Sequence, residues 1–173
     1  LSDEAAEVNV TPDRGYCFSI RGIAREFSHA TGAKFTDPIG LVTPVKADGF
    51  VVKISDAAPI RGKVGSTKFV VRSASNVNAQ SQTPAWMVSR LKLAGMRSIS
   101  IVVDITNYVM LELGQPIHAY DQSKVSGGLV VRRANPGESL VTLDGQTRAL
   151  NTEDLVIADD SGAIGIAGVM GGQ

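Results

Sequence analysis

The stretch 97–121, with the sequence RSISIVVDITNYVMLELGQPIHAYD, contains the side chains whose types and spacing could support chemistry. His118 is one of only two histidines, and an imidazole can transfer a proton near neutral pH or hydrogen-bond a substrate hydroxyl. It follows a Gly-Gln-Pro turn, which predicts a surface position, and it precedes Tyr120 and Asp121, which could orient a ring nitrogen. A single histidine also often serves as a structural hydrogen-bonding group, so both interpretations stay open.

Two elements are predicted to position these groups. Residues 99–103 form an apolar, β-branched run that indicates a buried strand, and residues 109–113 have helical spacing before Gly114. Thr106 and Asn107 would then lie where the strand gives way to the helix. There they could both serve as helix caps, or one could cap while the other turns its polar group into a pocket.

Composition limits the class of protein. The 173 residues are 43% hydrophobic and 20% charged, which is typical of a globular chain. Seventeen basic residues balance seventeen acidic ones, so a nucleic-acid partner would need a local basic patch. No apolar run reaches the roughly 18 residues of a membrane span, and no signal peptide is visible. The single cysteine, Cys17, excludes an internal disulfide, and a reduced, cytoplasmic protein is expected.

The patterning predicts an α+β fold, mostly antiparallel strands with about three helices packed on or between them. One helix should begin after the N-cap Ser19, stop at Gly32 and follow a short strand at residues 8–10. Its predicted buried stripe comprises Ile20, Ile23, Ala24 and Phe27, and its exposed face Arg21, Arg25 and Glu26. A second helix should start at Thr83-Pro84 and end before Gly95.

The remaining elements are predicted to be strands, with a hairpin turn at Asp144-Gly145. The predicted strands cover residues 51–54, 68–72, 129–133, 139–143, 155–158 and 163–167. Proline and glycine between residues 36 and 50 indicate a linker or a domain boundary there.

The glycine-rich run IGIAGVMGG does not have the spacing of a phosphate-binding loop. Gly171 and Gly172 could provide a backbone floor for a small ligand, or they could allow tight β packing. Cys17 lies in the N-terminal βα unit, far in sequence from a plausible base, so it is expected to be a small buried hydrophobic residue rather than a nucleophile. The pair Asp159-Asp160 precedes Ser161-Gly162 and indicates a turn rather than a metal site.

Several segments together carry a resemblance to a known family. They are VTPDRGYCFSIRGIARE, then TPAWMVSRLKLAGMRSISIVVDITNYVMLELGQPIHAYD, then TLDG and GIAGVMGG. In this order they resemble the β subunit of bacterial phenylalanyl-tRNA synthetase around its editing domain. The resemblance implies that residues 1–36 are a βα fragment of a neighbouring, interrupted domain. It implies that residues 37–173 are the tRNA-editing domain, truncated at its C-terminal end.

The resemblance also implies an activity and partners. The family's enzyme is an (αβ)₂ heterotetramer whose α subunit joins phenylalanine to tRNA(Phe) with ATP and magnesium. Its β editing domain hydrolyses mischarged Tyr-tRNA(Phe), with no metal or cofactor expected in this segment and no membrane partner. A pocket for phenylalanine rejects an analogue with one added hydroxyl by only about 10²-fold, so a second, hydrolytic site is needed.

The resemblance implies roles for six residues. His118 and Thr106 match catalytic positions of the editing site, and the substrate-binding positions are matched by Asn107, Gln115, Pro116 and Gly171. His118 could act as a base or could orient the substrate, and orientation is favoured because the terminal ribose hydroxyls of the tRNA can assist the water.

Two features leave alternatives open. In the family, a glutamate that recognises the tyrosine hydroxyl follows the MGG motif, which here lies at the end of the chain. The chain also begins without methionine, so it is expected to be a piece of a longer protein. The alternative to editing is a structural and tRNA-guiding module without catalysis of its own, and a free-standing deacylase is the third option.

Overall fold

A computed structural model describes residues 4–41, 49–56 and 60–173. By their contacts, the described residues fall into two compact units. The first combines those within Leu1–Val45 and Asn76–Ala119, and the second those within Lys46–Ser75 and Tyr120–Gln173. Helices occur together with mostly antiparallel strands, which confirms the α+β class. The boundary expected between residues 36 and 50 lies partly outside the described residues, and the domain division at residue 37 stays a prediction.

The described part of the first unit is helical. Its helices are α1 (Ile20–Thr31), α2 (Ala85–Leu93) and α3 (Ile101–Leu113), and α3 packs against both others. Short 3-10 turns occur at Gly15–Cys17 and Pro38–Leu41. The strand expected at residues 8–10 is not formed, so that prediction was wrong.

The ends of α1 are those expected from its capping residues. The Ser19 hydroxyl accepts a hydrogen bond from the Gly22 N–H at 3.0 Å, and Gly32 closes the helix in the left-handed conformation at φ 73°. Of the stripe predicted to be buried, Ile20, Ala24 and Phe27 are exposed instead, and Ile23 is half-buried. Arg21 is half-buried because its guanidinium binds both oxygens of Asp37, at 2.9 and 2.6 Å.

The strand predicted at residues 99–103 was also wrong, since α3 begins at Ile101. A short apolar run suits a buried strand and a helix equally, so capping groups decide between them. The Ser100 hydroxyl accepts from the Val103 N–H at 3.4 Å, and the helix continues to Gly114, which has φ 77°. Helix α2 starts after Pro84, within one residue of the prediction, and Gly95 follows its end.

The second unit contains the sheets. Its strands are β1 (Val52–Ser55), β2 (Leu129–Arg133), β3 (Ser139–Val141), β4 (Thr147–Ala149), β5 (Leu155–Asp159), β6 (Gly162–Ile166) and β7 (Met170–Gly171). Five of them form one sheet in the order β1-β2-β5-β6-β7, in which only β1 and β2 are parallel. The other two, β3 and β4, pair as a hairpin across the Asp144-Gly145 turn, as predicted.

The core of this unit lies along β2 and β5. Leu129, Val131 and Ile157 form one buried cluster, and Val156 and Ala158 belong to another. Strand β2 alternates between its two faces, as its period-2 pattern requires.

The observed strands of this unit differ from the predicted ones in three places: one predicted strand is not formed, and two observed strands were not predicted. Residues 68–72 do not form a strand, although Phe69 and Val71 pack against the core. The short strands β4 and β7 were not predicted. No helix among the described residues is long and apolar enough to cross a membrane.

Candidate functional site

Thr106 and Asn107 lie inside α3 rather than at its start, so neither caps the helix. The Thr106 hydroxyl donates a hydrogen bond to the Val103 carbonyl at 2.8 Å. Its proton is therefore committed to the preceding turn, while the hydroxyl oxygen still has lone pairs that can accept a bond.

Asn107 offers a polar group that the described protein does not use. Its side chain is half-buried and makes no hydrogen bond to any described residue. A side-chain amide supplies two donors and one acceptor, which suits recognition of a substrate hydroxyl or carbonyl. The next residue, Tyr108, is committed: its phenolic oxygen accepts from the Arg90 guanidinium at 2.6 Å.

Asp104, which the sequence analysis missed, holds the beginning of α3 in place. It is fully buried, and its carboxylate accepts hydrogen bonds from the Thr83 hydroxyl at 2.5 Å, the Ser98 hydroxyl at 2.6 Å and the Ile99 N–H at 2.9 Å. Burial alone would raise the pKa of Asp104, but the hydrogen bonds from Ser98 and Thr83 and from backbone N–H groups outweigh it. The pKa is lower than usual, so the group is charged near neutral pH. The only local sign of Asp104 in the sequence is a carboxylate inside an apolar run.

Gln115, Pro116 and His118 follow the end of α3 and are exposed, which confirms the surface position predicted for the histidine. Despite that exposure, neighbouring protein atoms remove part of the water around the imidazole, and this desolvation lowers the pKa of His118 from its usual 6.5. The ring is therefore mostly neutral at pH 7 and can accept a proton or a hydrogen bond. Asp121, which was expected to help orient it, accepts bonds from the Ser123 N–H and hydroxyl at 3.0 and 2.7 Å.

Gly171 lies in the second unit, on β7. It pairs with Gly165, and its carbonyl accepts from the Leu143 N–H at 3.0 Å. Gly172 has a packing role, because a Cβ there would lie 2.8 Å from both the Ile164 carbonyl oxygen and a Leu140 methyl group. The two glycines therefore have different explanations. Tight packing accounts for Gly172, whereas a ligand-binding role for Gly171 stays a prediction.

Comparison with known protein families matches residues 65–173 to the family described as the B3/4 domain. The chain belongs to the B3/4 domain family. The matched range contains all six candidate residues, from Thr106 to Gly171.

The curated relatives confirm the resemblance found in the sequence. The chain is 68% identical to the phenylalanine–tRNA ligase β subunit of Leifsonia xyli subsp. xyli, 54% to that of Streptomyces avermitilis and 49% to that of Bifidobacterium longum. Each match covers 99% of this chain but only 20%, 20% and 22% of the respective relative. The B3/4 chain thus spans about a fifth of the length of the curated relatives it matches.

The candidate side chains within the B3/4 match could take part in hydrogen bonding and proton transfer. In the described part of the chain, no group of three or more histidine, cysteine, aspartate or glutamate side chains is arranged to hold a metal ion. Cys17 is buried, as a small hydrophobic residue would be. The candidate groups of the first unit are the neutral His118 imidazole, the Thr106 oxygen and the Asn107 amide.

Proposed function

We propose that this chain is part of a phenylalanine–tRNA ligase β subunit and that its B3/4 domain hydrolyses tyrosine mischarged onto tRNA(Phe). The names of its relatives support the first part. In this proposal the whole ligase contains an α subunit in an (αβ)₂ assembly and uses ATP and magnesium to charge the tRNA, and this segment removes errors.

The observation that carries the catalytic part is the half-buried Asn107 amide, which has no partner among the described residues. Among the described residues no buried side-chain nitrogen or oxygen lacks a partner, so this amide reaches solvent, where its donors and its acceptor can bind a substrate. Thr106 precedes it on α3, and the start of that helix is held by the buried Asp104 carboxylate. Polar groups on a rigid helix can bind a substrate precisely enough to favour one reaction geometry.

The reaction is hydrolysis of the ester that joins tyrosine to the terminal ribose. A water oxygen bonds to the ester carbonyl carbon, the bond between that carbon and the ribose oxygen breaks, and the ribose oxygen gains a proton. The products are tyrosine and uncharged tRNA. His118 orients the aminoacyl group through a neutral ring nitrogen, while Asn107 and the Thr106 oxygen bind the ester end. In the second unit, Gly171 is proposed separately as a substrate-binding residue.

Selectivity for tyrosine over phenylalanine follows from the extra hydroxyl. A site that hydrogen-bonds this hydroxyl leaves polar groups unpaired when phenylalanine enters, and each unpaired buried group costs about 1–3 kcal/mol. The correctly charged tRNA is therefore disfavoured at the hydrolytic site.

Deacylation of Tyr-tRNA(Phe) by the ligase that contains this chain tests the proposal. His118→Ala, Thr106→Val and Gly171→Leu should each lower the hydrolysis rate, whereas His29→Ala should not. His29 is the matched control, because it is the other histidine and its side chain is 68% exposed on α1. If all three site variants hydrolyse Tyr-tRNA(Phe) as fast as the wild type, the site assignment is wrong.

The same assay separates editing from the alternative, a structural and tRNA-guiding module. That alternative is supported by the exposed apolar side chains of α1, such as Ile20 and Phe27, which suit contact with another part of an assembly. It predicts unchanged hydrolysis in the site variants and loss of charging activity when these apolar side chains are replaced.

A further inference from the structure

The charges of this chain are unevenly distributed along its sequence. The whole chain is neutral, yet no acidic residue occurs between Asp56 and Asp104. The basic residues of that interval are Arg61, Lys63, Lys68, Arg72, Arg90, Lys92 and Arg97. Four of these seven lie in residues 60–72, which we name the basic segment. A local excess of one sign creates a field that net charge does not reveal.

The basic segment exposes all of its cations. It opens with a tight turn in which the Lys63 N–H donates to the Ile60 carbonyl at 2.9 Å. Arg61 and Gly62 at the tip both have positive φ, 52° and 70°, as in the turns that close two-residue hairpins. This conformation places Arg61 at the outermost point of the turn.

The later part of the basic segment alternates in exposure. Lys68, Val70 and Arg72 are exposed, whereas Phe69 and Val71 contact the core. Because the two side chains between them pack against the core, the exposed side chains lie on the outward side of the segment. Lys68 and Arg72 therefore belong to the same exposed surface.

A buried ion pair holds the middle of the basic segment on the second unit. The Asp56 side chain is 1% exposed and accepts from two nitrogens of Arg133, at 2.8 and 2.9 Å. It also accepts from the Gly65 N–H at 2.6 Å. A Cβ at Gly65 would lie 2.9 Å from the Arg133 guanidinium, so the backbone fits closely there. The cations are thus carried by an ordered scaffold.

We propose that the basic segment is a surface that binds the backbone phosphates of RNA. Exposed cations without interspersed carboxylates suit a chain of phosphates, because each contact releases a condensed counterion and strengthens binding. Arg61, Lys63 and Lys68 make no ion pair with any described residue, so their charges are available to a partner. The exposed apolar side chains of the segment are aliphatic (Ile60, Val64 and Val70), and its aromatic residue Phe69 packs against the core, which favours contact with the RNA backbone over stacking on bases.

The proposal rests on the proposed function only in the choice of tRNA as the probe, because binding needs no hydrolysis. The experiment uses the full chain and uncharged tRNA(Phe) transcript, with affinity measured by fluorescence anisotropy over a range of KCl concentrations. The test variant is Lys63→Gln/Lys68→Gln. The matched control is Lys34→Gln/Lys124→Gln, which removes the same charge from exposed lysines outside the basic segment.

The test variant should bind about tenfold more weakly at low salt, and its plot of log affinity against log salt should be shallower by about 2. The control should stay within about twofold of the wild type. The variant Lys63→Arg/Lys68→Arg should bind RNA like the wild type, since both positive charges are retained. Thermal unfolding of each variant shows that the fold is intact.

Equal RNA binding by the test variant and the wild type would overturn the proposal, and so would an equal loss in the control. A second measurement compares the binding of the wild type and the test variant to vesicles of phosphatidylglycerol. If the test variant loses vesicle binding but keeps RNA binding, the segment recognises an anionic lipid surface instead. If the test variant loses RNA binding but keeps Tyr-tRNA hydrolysis, both this surface and the editing proposal stand. If the test variant binds RNA like the wild type while the His118, Thr106 and Gly171 variants lose hydrolysis, this surface alone is rejected.

Discussion

Thr83 and Asp104 are joined by a hydrogen bond of 2.5 Å that links the residue preceding the α2 cap to the first turn of α3. The carboxylate also accepts from Ser98 and from the Ile99 N–H, so a single buried residue ties together three parts of the first unit. The helix that carries Thr106 and Asn107 therefore begins from a fixed position. Asp104 therefore positions α3 from a fully buried site.

Replacing Asp104 with alanine is expected to destabilise the chain by about 3 kcal/mol, because two hydroxyls and an N–H lose their buried acceptor. Asp104→Asn should cost less, since the amide oxygen can still accept on one side. Thr83→Ser, which keeps the hydroxyl, is the mild control. The free energy of unfolding from urea titrations measures each effect, and an unchanged midpoint for the alanine variant would show that the network contributes nothing.

Glu138 should make stability depend on pH in the acid range. Its carboxylate accepts two hydrogen bonds from the Arg132 guanidinium, at 2.8 and 2.7 Å, and others from the Asn135 and Ala163 N–H groups. The Arg132 hydrogen bonds lead the causes that lower the pKa of Glu138 from 4.5 to about 2. Because the folded-state pKa is the lower one, the stabilisation is complete above pH 4.5 and is lost as the pH falls towards 2.

Glu138→Gln is therefore expected to lower the free energy of unfolding at pH 7 by about 2 kcal/mol and to flatten its decline between pH 4.5 and 2. Asp144→Asn is the matched control: it breaks the ion pair of two side chains that are 41% (Arg148) and 35% (Asp144) exposed, while the amide oxygen can still accept from the Thr142 hydroxyl. An exposed pair contributes about 0–1 kcal/mol. Chemical denaturation at a series of pH values distinguishes the two variants, and equal effects would contradict the assignment.

His118 should give the proposed hydrolysis a characteristic pH profile. Desolvation lowers the pKa of His118 below 6.5, so the neutral ring predominates at pH 7 and is lost only as the pH falls through that lower pKa. The rate on Tyr-tRNA(Phe) is expected to be flat near pH 7 and to decline as the pH falls through the lowered pKa of His118. His118→Ala should remove this decline and slow the reaction about 10²-fold, while His29→Ala should keep the wild-type profile. Rates are corrected for spontaneous ester hydrolysis, and an identical decline in His118→Ala would assign the titration to another group.

Gly172→Ala tests the packing role of the glycine pair. The added methyl group would lie 2.8 Å from backbone at Ile164, so the strand must shift, at a cost of about 1–3 kcal/mol. Gly15→Ala is the control, because a Cβ there has no atom within 4 Å. The difference in thermal midpoint between the two variants measures the effect, and equal midpoints would mean that the close approach at Gly172 is not needed.

Local signals in the sequence predicted several elements closely. The limits of α1 at Ser19 and Gly32 were predicted because capping depends on side chains next to the helix end. Strand β2 was predicted at its observed limits, and the Asp144-Gly145 hairpin was predicted from turn chemistry alone. These features depend on residues that are close in sequence.

Features that depend on distant partners were missed or wrong. The apolar stripe of α1 was expected to be buried, but helical spacing shows only which side chains share a face, not which face contacts the rest of the unit. Asp37, outside the helix, binds Arg21, and the charged side chains of that face are half-buried. The burial of Asp104 could not be predicted either, because Thr83 reaches its carboxylate only in the folded chain.

By itself, the sequence determined the α+β class, the ends of the first helix, most strands and the resemblance to a family that comparison then confirmed. Only the tertiary structure decided that residues 101–113 are helical, that Thr106 and Asn107 lie within that helix, and that Asp104 anchors its start. The physical reason is the range of the interactions. Caps and turns are made by neighbours along the chain, whereas burial and buried hydrogen bonds depend on residues that folding brings together.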